Sequence, residues 1–89
     1  MRDEALSMID LLFPQLRQYV IGSDFHVVPV PEYIFTLSMP NKPATPENLL
    51  GCIAIDSHHA IRVISEQNGA LTKLVESWCP ASSLNLIGG

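Results

Sequence analysis

The sequence predicts a small α+β domain, in which an N-terminal helix and a C-terminal helix pack on a mainly antiparallel sheet of three or four strands. Three patterns indicate this fold class. Apolar residues recur every three or four positions near the N-terminus, β-branched and aromatic residues dominate 25–39, and β-branched residues return in 52–67. A mostly helical domain with one hairpin at 25–38 is the alternative.

The length of the chain bounds the number of domains. With 89 residues, the chain is shorter than a typical domain of about 100–150 residues. We therefore expect residues 1–89 to form one domain, in which 81–89 is a tail. Hydrophobic residues make up 47% of the sequence, more than a core of this size hides, so part of this material is expected to face a partner.

The N-terminal segment 3–21 is predicted to be a helix because its apolar residues fall on one stripe. That stripe consists of Leu6, Ile9, Phe13, Leu16 and Val20. Gly22 follows the last residue of the stripe, as is typical of a helix end. Pro14 conflicts with a continuous helix, because proline lacks the backbone donor. A kink at Pro14 is favoured over a second short helix that starts there, because the stripe keeps its phase.

The next segments alternate in the manner of strands. Residues 33–38 place aromatic and aliphatic side chains at every second position, which predicts a strand. Residues 25–30 resemble another strand, but Pro29 and Pro31 lack ladder donors and predict an edge position or an extended arm. Three prolines in 40–46 then predict an exposed connector.

Residues 52–67 allow two interpretations. Strands at 52–56 and 61–66, joined by a turn at 57–59, are favoured because β-branched residues dominate both arms. The alternative is a helix over 46–67. In either case the run Thr-Pro-Glu at 45–47 predicts a helix start, which in the favoured interpretation completes only one turn before Gly51. A further helix is favoured at 70–78 from the spacing of its apolar residues, and the alternative is a hairpin, indicated by the Asn-Gly pair at 68–69.

Charge and composition exclude several classes of function. The net charge is −4, and the five basic residues are scattered, so neither nucleic acid nor an anionic membrane is an expected partner. No apolar run approaches the ~20 residues that span a bilayer. Cys52 and Cys79 alone form no disulfide framework, which favours free thiols and a cytoplasmic location. No motif for a cofactor is present.

One run of residues combines an acid, a nucleophile and a base, namely Asp56-Ser57-His58-His59. Side chains adjacent in sequence diverge in space, so this run is interpreted as a polar turn rather than a catalytic triad. The alternative is a small metal-dependent or hydrolytic enzyme that uses His26, His58 or His59 with Asp56 or Cys52. The histidine spacings match no common zinc motif, so no metal is expected.

We favour a non-catalytic protein-interaction module, that is, an adaptor, a regulator or a small subunit. Aromatic side chains dominate binding hot spots, which makes Tyr19, Tyr33, Phe35 and Trp78 the candidate interaction residues. The N-terminal stripe is widened by further apolar residues, including Leu11. A wide stripe suggests a second contact surface, so the expected partners are another protein, a second copy of this chain in a homodimer, or both.

Overall fold

The computed structural model describes residues 2–27 and 29–78, and it confirms the predicted α+β fold class. In chain order the elements are helix α1 (Arg2–Leu12), a first 3-10 helix (Pro14–Tyr19), strand β1 (Val20–His26), strand β2 (Glu32–Ser38), a second 3-10 helix (Pro46–Asn48), strand β3 (Leu49–Asp56), strand β4 (Ile61–Glu66) and helix α2 (Ala70–Trp78). The side chains of residues 2, 3 and 78 lie outside the described part of the chain, as do residues 79–89.

The sheet has four antiparallel strands in the order β1-β2-β3-β4, so each strand pairs with its neighbour in the sequence. β1 occupies an edge, which confirms the edge position predicted for the strand before 33–38. The predicted bounds of 25–30 are wrong, since β1 spans Val20–His26. The strand ends ahead of Pro29 and Pro31, which have no N–H to donate to a ladder.

The core lies between one face of the sheet and both helices. Every second side chain of β2, β3 and β4 points to this face, as the strand period of two requires. These sheet residues are all buried: Phe35, Leu37, Ile53, Ile55, Ile61 and Val63. α1 adds Ala5 and Ile9 to the same cluster, and α2 adds Leu71 and Val75. We call this the covered face of the sheet and the opposite side the open face.

The prediction of one helix over 3–21 is wrong beyond Leu12. α1 ends at Leu12, and Pro14 opens the separate first 3-10 helix, so the second short helix is correct and the kink is not. Phe13 has left the helical region, with φ −139° and ψ 61°. A proline disfavours helical backbone in the residue before it, which explains the break. The stripe keeps its phase because Leu16 still turns into the core.

Gly22 was expected to end the helix, and this expectation is also wrong. Gly22 lies inside β1, where the pairing with β2 shifts between Val20 and Gly22. The β-branched pair Val20-Ile21 belongs to the strand rather than to the helix. β-branched side chains fit a pleated sheet better than a helix, so local preference here agrees with the structure.

Residues 52–67 form the predicted hairpin, and the alternative helix over 46–67 is absent. β3 begins three residues before the predicted start, at Leu49. Its pairing with β4 shifts between Cys52 and Ile53, which leaves a bulge. Gly51 beside the bulge has φ +140°, and a Cβ there would lie 2.0 Å from the carbonyl oxygen of Ser65. Only glycine fits this close approach of two backbones.

The predicted helix at 70–78 is confirmed as α2, and Glu66 binds its first turn. The Thr72 amide donates to Oε1 of Glu66 at 2.9 Å, and the Thr72 hydroxyl donates to Oε2. These two hydrogen bonds lower the pKa of Glu66 below its ordinary value, because they stabilise the carboxylate. The predicted tail 81–89 lies outside the described residues.

Candidate functional site

The turn between β3 and β4 is held by the side chain of Asp56. Its Oδ1 accepts hydrogen bonds from the backbone amides of His58 at 2.8 Å and Ala60 at 3.1 Å. The His59 amide donates to the Asp56 carbonyl at 3.0 Å, and His59 adopts a left-handed φ of 65°. The Asp56 carboxylate thus stabilises the backbone of the turn through hydrogen bonds, as is usual for aspartate in such positions. Both histidines are exposed.

The third histidine, His26, lies on the edge strand β1. Its Nε2 is 3.2 Å from Oδ2 of Asp24, and both side chains are more than half exposed. Cys52 lies on β3, with its Sγ 3.7 Å from Oγ1 of Thr36. Across residues 2–27 and 29–78, no three His, Cys, Asp or Glu side chains meet in an arrangement that holds a metal ion.

A concave surface runs along α1. Two adjoining depressions, of about 450 Å³ and 170 Å³, share Met8 and His59 in their walls. The larger one follows α1 past Leu11, and the smaller one reaches Phe25 and Tyr33 on β1 and β2. We call this surface the α1 groove and define it by six residues, Glu4, Met8, Leu11, Phe25, Tyr33 and His59.

The groove exists because the helices leave part of the covered face bare at its β1 edge. Phe25 faces the same side as Tyr33, with which it pairs across the strands, yet neither side chain is buried. Their ring centroids are 4.9 Å apart at an interplanar angle of 51°, a favourable tilted contact. Leu11 on the neighbouring helix turn remains 81% exposed. The floor and one wall are therefore apolar.

A polar contact links the walls of the two depressions. The hydroxyl of Tyr33 donates to Oε2 of Glu4 at 3.3 Å. Partial burial, the negative charge of Glu4 and this hydrogen bond raise the pKa of Tyr33, in that order of size. Glu4 therefore places a negative charge in the wall of the larger depression, next to an apolar floor.

The open face of the sheet carries a different feature, an ion pair that crosses a strand. Arg62 on β4 donates through Nη1 to Oε2 of Glu32 at 2.6 Å and through Nη2 to Oε1 at 3.0 Å. Glu32 lies on β2, so the pair spans the small residue Ala54 of β3. Hydrogen bonding to Glu32 is the main cause that raises the pKa of Arg62. Such a fork-to-fork pair is among the strong polar contacts of proteins.

The four predicted interaction residues occupy different places. Tyr33 lines the α1 groove, whereas Phe35 is completely buried in the core. Tyr19 is half-buried and packs against the core. Trp78 ends α2, and its side chain lies outside the described part of the chain.

Sequence reasoning did not single out the groove residue Met8, and it considered His59 only as a candidate metal-binding or catalytic residue. The apolar Leu11, which lies outside the predicted helix stripe, is a sequence signal for this surface. Met8 stands one position before the core residue Ile9, so it flanks the buried stripe of α1. His59 reaches the groove only because the Asp56 turn brings it opposite α1, which is a tertiary relation.

Among the described residues, no helix is both long enough and apolar enough to cross a bilayer. Comparison of the chain with protein-family models, with curated proteins and with solved structures finds no significant match.

Proposed function

We propose that this protein is a non-catalytic interaction module, an adaptor, regulator or small subunit, that binds a segment of another protein in the α1 groove. The observation that carries the proposal is the exposure of Leu11, at 81%, beside an apolar groove. The core is filled by other side chains, so Leu11 contributes nothing to it. Clustered apolar surface next to a concave floor is typical of protein-binding sites.

The dimensions of the groove support a peptide segment over a cofactor. Pockets for drug-sized ligands are typically about 300–1,000 Å³ and enclose most of the ligand. The smaller depression, about 170 Å³, falls below this range and has room for one anchoring side chain. The larger depression, about 450 Å³, has a volume within this range, but it is a shallow surface open to solvent along one side of α1 and would not enclose a small ligand. Its shape suits further contacts along an extended or helical segment.

The proposal includes self-association and a cytoplasmic location. Ile64 on the open face is 43% exposed, and the neighbouring side chains of Ile34 and Cys52 are partly exposed, which favours contact between copies. The free thiol of Cys52 suits a reducing compartment. Sedimentation of the wild type and of Ile64→Lys tests the dimer, whose weight should fall to that of a monomer in the variant.

Site-specific photocrosslinking in cells tests the binding site. A photoreactive amino acid at Leu11 is expected to give discrete crosslinked products, because a partner would cover that position. The same group at Lys42, in the exposed connector between β2 and β3, serves as the matched control. Products from Leu11 that Lys42 does not give would support the proposal. Equal products from both positions, or none from Leu11, would contradict it.

A further inference from the structure

The charged groups around the α1 groove have mostly one sign. Glu4, Glu32 and Asp56 line its two depressions, and no lysine or arginine does so among the described residues. Arg62 is bound to Glu32 on the open face, so it balances the charge of that carboxylate. Among the described side chains, Glu4 and Asp56 therefore line the groove without an ion pair and make its surroundings acidic, in keeping with the net charge of −4 for the whole chain.

Glu4 is the carboxylate best placed to meet a ligand. It is exposed, it lines the larger depression, and its carboxylate accepts a hydrogen bond from the Tyr33 hydroxyl. Within the described side chains, no basic group forms an ion pair with Glu4. Asp56 differs, because its Oδ1 is occupied by the backbone of the turn.

We propose that the α1 groove takes a basic amphipathic segment of a partner protein. An apolar side chain of that segment enters between Met8 and Tyr33, and a lysine or arginine beside it lies against Glu4. This inference rests on the proposed function, because it names the chemistry of the partner for the same groove.

A basic segment is favoured over an acidic or a neutral one because its charge is complementary to that of Glu4. An acidic segment would bring like charges together at Glu4, which is strongly unfavourable when both groups lose water. A neutral segment would make the apolar contacts but would form no ion pair with Glu4. A positive charge near Glu4 also speeds encounter with a negatively charged protein, and added salt weakens this effect.

Selection from a random peptide display library on the full-length protein tests the inference. Enriched peptides are expected to combine large apolar residues with Lys or Arg. Their affinity should fall about tenfold for Met8→Ala, which removes an anchor contact. Glu4→Gln should weaken them by about two- to fivefold, which corresponds to one exposed ion pair. Glu47→Gln, a matched loss of an exposed carboxylate on the second 3-10 helix, should leave binding unchanged.

The outcomes separate this inference from the proposed function. Neutral or acidic peptides that lose affinity for Met8→Ala and for Leu11→Ser would overturn the basic partner but keep the groove as a binding site. Peptides that bind both variants as well as wild type, or no enriched peptides at all, would overturn both. Leu11→Ser alters an exposed side chain, so a loss of binding in that variant is not a loss of folding.

Discussion

The two faces of the sheet close their apolar surface by different means. On the covered face, Phe35, Ile53 and Ile61 are completely buried beneath the helices. On the open face, Arg62, which lies opposite Ala54, reaches across β3 to Glu32, and Ala54 is only 1% exposed, whereas Ile64 remains 43% exposed. Side chains buried under the helices are sensitive to any loss of side-chain volume. The surface beneath the ion pair stays buried only while both Arg62 and Glu32 are present.

The comparison also explains where the α1 groove lies. The helix cover of the covered face is complete over β3 and β4, where Ile55 and Val63 are buried, and incomplete at β1, where Phe25 is only partly buried. The groove is the uncovered remainder of that face. A partner that fills it would extend the same kind of burial that the helices provide elsewhere.

Gly51→Ala should produce the largest effect, because the strand pair β3-β4 underlies both faces. The added Cβ would lie 2.0 Å from the carbonyl oxygen of Ser65, at a φ that L-residues rarely adopt. We expect a loss of more than about 3 kcal/mol in the free energy of unfolding, measured by urea denaturation. Gly22→Ala is the control, with its nearest contact at 3.9 Å, and should cost less than about 1 kcal/mol.

Ile53→Ala and Cys52→Ala compare the faces at adjacent positions of one strand. Ile53 is 0% exposed on the covered face, so its truncation should cost about 3–4 kcal/mol through lost burial and a cavity. Cys52 points to the open face and is only partly buried, so its loss should cost less than about 1 kcal/mol. Similar losses in the two variants would show that the faces do not differ as described.

Arg62→Ala tests the covering role of the ion pair. Glu32 is only 6% exposed, so removal of Arg62 leaves a buried carboxylate without its partner. We expect a loss of about 1–3 kcal/mol, below the value for a fully buried pair because Arg62 is partly exposed. The double variant Arg62→Met with Glu32→Leu should recover most of this loss. If the double variant is as unstable as Arg62→Ala, the cost does not arise from the orphaned charge.

Glu66→Gln should have the smallest effect, and this effect should depend on pH. The pKa of Glu66 is lowered in the folded state by Thr72, so its contribution is present above the unfolded pKa and is lost as pH falls through the folded pKa. Glu66→Gln is expected to cost less than about 1 kcal/mol at pH 7 and still less near pH 3. Thermal unfolding at both pH values measures this difference. Glu76→Gln, elsewhere on α2, should show no such trend.

The sheet was predictable where local preference and pattern agree. Residues 33–38 and the hairpin in 52–67 have β-branched residues and an alternating pattern, and both form strands as predicted. The break at Pro14 was visible, but the phase of the stripe concealed it, because Leu16 reaches the core from a 3-10 helix as well as from an α-helix. Because the predicted helix extended to residue 21, the predicted start of β1 was too late, and Gly22 was assigned to a helix end instead of to the strand.

The candidate site was less predictable, because it depends on tertiary relations. Tyr33 was identified from its residue type, but its contact with Glu4 joins positions 29 residues apart. His59 was considered as a catalytic group and proves to be a wall of the groove. The cross-strand pair of Glu32 and Arg62 required the register of three strands, which a single sequence does not contain.

Methyl NMR of the full-length protein, titrated with a lysine-rich amphipathic peptide, tests the central claim most directly. If the α1 groove is the binding surface, the methyl signals of Met8 and Leu11 should shift, whereas those of Ile34 and Ile64 on the open face should not move. Shifts confined to Ile34 and Ile64, or no shift at Met8 and Leu11 at saturating peptide, would contradict the assignment of the groove.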